Sequence, residues 1–222
     1  MLLSHELFHI LSRYNPKLRE QLFKAIGFVK CREITLPGVL NKRKITNPDA
    51  PVYDHCIRVE VRQAERWAVP VTFSRTDKYE PERGADFMDY MIFRLLLVEK
   101  TGEASEGEPM PVRPIREDGK AKLVSPGDVS GFLEQVGRNT RYVLAPEEII
   151  AENFRLLVTG ERDVPTPDIL RRVEEILKKA GAEAETSAQR PAVPVENHSL
   201  REPSIRFGGA AHPHTAAPAG SR

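Results

Sequence analysis

Apolar positions recur along the chain with two different periods. Over residues 2 to 14, at about 100° per residue, Leu3, Leu7, Phe8, Ile10 and Leu11 share one arc. That spacing predicts a helix with its apolar side turned inward and with His5 and His9 on the opposite side. Asn15-Pro16 breaks this helix and starts another, because Asn15 suits a cap and Pro16 a first turn. Leu18, Leu22, Phe23 and Ile26 then face inward until Gly27 ends the segment.

From residue 28 to about residue 115 the period shortens to two. Tyr53, His55, Ile57, Val59 and Val61 alternate with Asp54, Cys56, Arg58 and Glu60, which predicts a strand with one buried face. Trp67, Val69, Val71 and Phe73 repeat the alternation, whereas residues 91–98 form a nearly continuous apolar run suited to a central strand. Turns are expected at Asn47-Pro48-Asp49-Ala50-Pro51 and around Gly84, and residues 101–108 read as a surface loop.

Helical spacing returns after the β-rich part. Ser125-Pro126-Gly127-Asp128 resembles a capped start, followed by Val129, Phe132, Leu133 and Val136 and a stop at Gly137. Pro146 opens a further helix to about residue 158, and Thr166 caps a last one that packs Ile169, Leu170, Val173, Ile176 and Leu177. Beyond residue 181 large apolar residues are too sparse to offset the entropy of ordering. The expected organisation is one α+β domain over residues 1–180, with a mainly antiparallel sheet, and a disordered tail over residues 181–222.

Composition removes several functional classes. The 33 Lys and Arg against 32 Asp and Glu leave a net charge of +1, so no field draws nucleic acid or an anionic membrane to the chain. The basic run Lys42-Arg43-Lys44 reads as a solvated turn, and His198, His212 and His214 as solvated tail residues. Cys31 and Cys56 are too few and too far apart for a disulfide scaffold or a thiolate metal site, and are read as reduced and structural. No stretch approaches the roughly 20 apolar residues of a membrane span, and MLLSHELFHI lacks a basic leader region. A cytoplasmic location is expected, with residues expected in front of Met1 because the motif described next starts so soon after it.

That motif is HELFH. His5 and His9 stand one helical turn apart, so both imidazoles can point at one metal ion, with Glu6 beside them. The pattern suits Zn2+ held by three protein ligands, whose open position carries a water acidified to about pKa 7. Glu6 would take the proton of that water and pass it to the leaving amine.

Two histidines need a third donor. The segment Pro146-Glu147-Glu148-Ile149-Ile150-Ala151-Glu152 resembles the second metal helix of the glutamate-ligand zinc peptidases, the gluzincins, which reads E-x-x-A-D or close to it. The resemblance implies Glu148 as third metal ligand and Glu152, in place of the final Asp, as the group that hydrogen-bonds a ligating histidine and fixes its tautomer. Ala151 would let the helix pack closely. Glu147 is read instead as an acidic residue favouring the helix N-terminus.

More broadly, residues 1 to about 160 look like a group of bacterial zincin-like proteins that share HELFH, an Asn-Pro-Asp segment and a block like GFLEQVGRNTRYVLAPEEIIAENF. That group is expected to carry His where this chain has Ala145. The resemblance implies a zincin-like fold in which the first helix and the Glu148 helix face each other across the metal. It implies a zinc-dependent hydrolase of the peptidase type acting on a peptide or protein substrate. Oxyanion stabilisation needs a donor, and among Tyr142, His55 and Arg141 the first is the best placed, just before the ligand helix. The alternative is a catalytically inactive zincin-like domain that binds a metal or a partner.

Overall fold

The helical segments at the two ends of the sequence come together over one face of a sheet built from the alternating segments between them. The computed structural model describes residues 2–78 and 86–188. The turn expected around Gly84 and the histidines expected in the tail lie outside the described residues.

The chain begins with α1 (Leu2–Tyr14), α2 (Pro16–Ala25), β1 (Phe28–Lys30), the single turn α3 (Val39–Lys42), β2 (His55–Val61) and β3 (Ala64–Ser74). The short α4 (Phe87–Tyr90), β4 (Met91–Lys100), β5 (Val112–Pro114), β6 (Arg116–Glu117), β7 (Lys120–Ala121) and β8 (Leu123–Val124) follow. Last come α5 (Phe132–Val136), α6 (Pro146–Val158) and α7 (Pro167–Ala188). The main sheet runs β1-β2-β3-β4-β5, with β8 also on β4, and every pairing in it is antiparallel. The architecture is α+β. No helix among the described residues is long and apolar enough to cross a membrane.

The register explains why residues 95–98 are apolar without alternation. Leu95 and Leu97 point into the core beneath the helices, with Phe8, Leu22, Ile57, Ile149, Ile150 and Ile169. Leu96 and Val98 point to the other face, where Cys31, Ile34, Leu36, Cys56, Val69 and Val71 form a second core. A strand buried on both sides has no polar face to show. The same fact corrects the single buried face expected for β2: His55, Cys56 and Ile57 are buried in succession, and alternation begins only at Arg58. Both cysteines are free and buried.

Three further expectations are revised. On α1 the residues that go inside are Phe8, His9 and Ser12. Phe8, at one edge of the predicted arc, is inside as expected, but Leu3, 82% exposed, Leu7 and Ile10 face outward, so the helix is turned to bury the Phe8, His9 and Ser12 side instead. The single helix expected around residues 129–136 is split, because Gly131 takes a left-handed conformation (φ +86°) and Ser130 pairs with Glu60 as an isolated bridge. Finally, α7 continues past residue 181 to Ala188, so the ordered domain outruns the boundary at residue 180. Gly27 ends α2 as expected, at φ +86°.

Candidate metal centre

α1 lies against α6, and Phe8 fixes the contact: it is fully buried, with its ring 5.7 Å from that of Phe154. Ala151 is fully buried on the same helix. With Phe8 docked, His5 and His9, on the adjacent stripe of α1, meet the first turns of α6. Five consecutive residues there, from Glu147 to Ala151, are buried.

Each imidazole has one nitrogen for a shared point and one for a carboxylate behind it. His5 Nε2 lies 3.2 Å from Glu148 Oε2, and His9 Nε2 lies 4.0 Å from Glu148 Oε1. On the far side of the rings, His5 Nδ1 is 3.5 Å from Glu152 Oε2 and His9 Nδ1 is 3.7 Å from Glu147 Oε1. At 3.7 Å the latter is a charge contact, not a formed hydrogen bond, and His9 Nδ1 is buried without a hydrogen-bond partner. Ser12, one turn beyond His9, donates its hydroxyl to Glu147. Burial pushes the His9 pKa down, and Glu147, Asp49 and Glu148 more than offset it, so the group titrates above the ordinary histidine value.

The loop before β2 completes the centre. Asn47 donates from Nδ2 to Glu148 Oε1 at 2.6 Å, which leaves Oε2 turned to His5. Asp49 is held by Arg13 at 2.5 Å and brings Oδ2 to 4.0 Å from His9 Nε2. Glu6 is exposed, and its carboxylate lies with His9 and Asp49 in a set of donor atoms within 4.8 Å of one another. Tyr142, 42% exposed, lines a cleft beside the centre together with Asn47, Asp49 and Glu147. Burial, then the negative charges of Glu148 and Asp49, raise its pKa, so the phenol keeps its proton at neutral pH.

The donors of His5, His9 and Glu148 also lie within 4.8 Å of one another. Tetrahedral ligands at about 2.1 Å from a zinc ion sit about 3.4 Å apart, so this set fits the ion with small side-chain shifts. Charge agrees with geometry. Glu147 and Glu148 are 5% and 3% exposed, and among the described residues neither pairs with Lys or Arg. Two buried carboxylates without a fixed cation are costly unless a positive charge joins them.

The chain matches no protein-family model. Nor does any curated protein or solved structure match it.

The structure therefore brings together His5, Glu6, His9, Glu148 and Glu152, with Tyr142 on the adjoining cleft wall. His55 is elsewhere, between Asp54 at 2.7 Å and Glu20 at 3.1 Å, and Arg141 is exposed. Asn47, Asp49 and Glu147 belong to the centre although their sequence context read as a turn and a helix start. The available signal was helical: neighbours on a helix differ by about 100°, so a ligand at Glu148 leaves Glu147 able to reach the same partner helix. Ser12, three residues after His9, gave a similar hint.

Proposed function

We propose that this chain is a zincin-like, zinc-dependent hydrolase of the peptidase type, with His5, His9 and Glu148 as metal ligands. The observation that carries the reading is the double alignment of the histidines. Both Nε2 atoms turn toward Glu148, and both Nδ1 atoms turn toward a second carboxylate, as ligating imidazoles require for tautomer and orientation. A zinc ion in this place supplies Lewis acidity and a water acidic enough to ionise near neutral pH.

The chain's own groups divide the remaining work. Glu6, exposed beside His9 and Asp49, holds and passes on a proton as general base and acid. Tyr142 keeps a donor hydrogen available for developing negative charge on a carbonyl oxygen. Glu147 and Glu152 stand behind the imidazoles as charge contacts at 3.7 and 3.5 Å, and Asn47 hydrogen-bonds Glu148.

Asp49 supports a second reading. Its position 4.0 Å from His9 Nε2 allows it to act as a further ligand that fills the open place, which would make a closed, inactive metal-binding domain. Metal analysis and turnover of Glu6→Gln separate the possibilities. The hydrolase reading expects one zinc per chain in wild type and variant, and loss of peptide cleavage in the variant alone. Stoichiometric zinc with no cleavage by wild type would favour the closed site, and absence of zinc binding would remove both.

A further inference from the structure

α1 turns a line of large side chains away from the domain. Leu3, Leu7, Ile10 and Tyr14 are 82%, 50%, 54% and 83% exposed. At 100° per residue they lie within about 60° of one another, on the side of the helix away from Phe8, His9 and Ser12, which go inside. Together they leave about 500 Å² uncovered, toward the upper end of the largest patch a monomer usually shows. We propose that this stripe is the seam of a homodimer, in which α1 of a second copy lies antiparallel along α1.

Spacing and area both suit a partner helix. The positions 3, 7, 10 and 14 step by four, three and four, the repeat that keeps one line of side chains facing a neighbouring helix. A seam this short would not hold two isolated helices. Here α1 is already ordered by its packing on α6, through Phe8 and Phe154, so association does not have to fold it. With the flanking Glu6, Leu11 and Arg13, two copies would cover on the order of 1,200 Å², the lower limit of specific interfaces.

Charge selects the occupant and its direction. Glu6 and Arg13 are exposed on one flank of the stripe, and Ser4 and Leu11 bring no charge to the other. Arg13 also holds Asp49, but its side chain stays 53% exposed and has donors left for a second acceptor. When two identical helices meet face to face and antiparallel, the same flank of each comes together. Leu7 then layers on Ile10 of the second copy and Leu3 on Tyr14. Glu6 comes within about 3 Å, along the axis, of Arg13 of the second copy, and the two-fold repeats the pair. A parallel arrangement would set Glu6 against Leu11 instead. A helix made to lie on lipid is rich in Lys and Arg beside its apolar face, whereas this stripe has one base and one acid there.

The association does not depend on the hydrolase reading. Under that reading Arg13 of the second copy would engage the carboxylate of Glu6, so cleavage per chain should fall as the dimer forms.

Sedimentation velocity of the full chain, from micromolar to submillimolar concentration, should show the mass rising from one chain to two. Leu7→Asp and Leu3→Glu, both at exposed positions, should each weaken association by about tenfold or more, because an unpaired charge enters the seam; melting curves verify that both fold. A short bis-maleimide should join Leu3→Cys to Tyr14→Cys when the two variants are mixed, and neither to itself. Cys31 and Cys56 are buried away from the reagent.

A single-chain mass over the whole range would overturn the proposal. So would a dimer unmoved by both folded variants, or crosslinking of Leu3→Cys to itself but not to Tyr14→Cys. Retention on phosphatidylcholine–phosphatidylserine vesicles by a chain that stays monomeric, lost in Leu7→Asp, would assign the stripe to a membrane instead. Peptide-library cleavage by zinc-loaded wild type separates this inference from the hydrolase reading. A dimer that cleaves nothing keeps the seam and counts against the hydrolase, and a monomer that cleaves does the reverse. Cleavage per chain unchanged on dimerisation would overturn the contact between Glu6 and Arg13.

Discussion

Replacing Glu147 by Gln removes one buried negative charge while keeping the side chain's shape and an oxygen to accept from Ser12. If Glu147 serves as the carboxylate behind the ligating His9, zinc affinity should fall by about 10- to 100-fold. The size of the effect on unfolding follows from linkage. At free zinc about 1,000 times the wild-type Kd, binding adds about 4.1 kcal/mol to stability, and the variant under the same conditions keeps about 1.4–2.7 kcal/mol. For a chain of 222 residues each kcal/mol moves Tm by about 2–4 °C. Zinc should therefore raise the wild-type Tm by about 8–16 °C and the variant's by about 3–11 °C. The metal-free proteins should order the other way. Glu147 has no Lys or Arg partner among the described residues, so its neutralisation should leave the metal-free Tm unchanged or higher. Differential scanning fluorimetry at matched free zinc, with a chelator arm, measures both. An equal zinc-induced shift in the two proteins would refute the role of Glu147 behind His9. A variant that melts earlier without metal would show a merely structural one.

Tyr142→Phe should lower kcat about 10²-fold or more with little change in KM, because the phenol acts on charge that develops during reaction; steady-state kinetics on a cleaved peptide reports the split. His55 is buried, and burial, which pushes its pKa down, is outweighed by Asp54 and Glu20, so that it is raised to about 9. Its contribution to stability is thus full below about pH 6.5, on the order of 3 kcal/mol, and is lost as pH rises through about 9. Urea unfolding of wild type and His55→Gln from pH 6 to 9.5 should show the difference between them shrinking across that window, and a constant difference would count against the charged pair. Gly137→Ala should destabilise by more than about 1 kcal/mol, since φ is +77° and a Cβ would come within 2.7 Å of Ile169 Cγ1; an unchanged urea midpoint would contradict this.

The parts of the fold that could be read from sequence were those governed by local pattern. The part of β4 at residues 95–98, buried on both faces, declares itself as an unbroken apolar run, and Gly27 and Pro146 mark helix ends by backbone chemistry alone. What escaped were features decided by distant partners. Ser130 leaves the helical pattern because Glu60 offers it a backbone pair. The Asn47-Pro48-Asp49 turn is a turn, as read, but its place beside His9 depends on where β3 receives Ile45, whose backbone N–H bonds Thr72. Turn chemistry specifies conformation, not destination. The HELFH spacing was legible for the same reason that Gly27 was: it is a one-turn geometry complete within a single helix.

The orientation of α1 is the clearest case in which the centre governs the fold. Turned the other way, the helix would bury Leu3, Leu7 and Ile10, gaining roughly 1.5–3 kcal/mol for each fully buried side chain, and less from Leu7 and Ile10, which are already about half covered, 50% and 54% exposed. It would also lay those side chains against Glu147 and Glu148. Two carboxylates held in an apolar contact cost on the order of several kcal/mol each, so the gain does not cover the loss. Imidazoles inward is the arrangement that α6 can accept. Neutral imidazoles alone do not balance two buried negative charges, and Arg13 is committed to Asp49. Positive charge must come from a proton on a histidine, which the raised pKa of His9 expresses, or from a cation that takes its place. A helix that leaves leucines in water to keep histidines beside glutamates therefore fits a chain whose α1–α6 packing is set by a charge site at their contact.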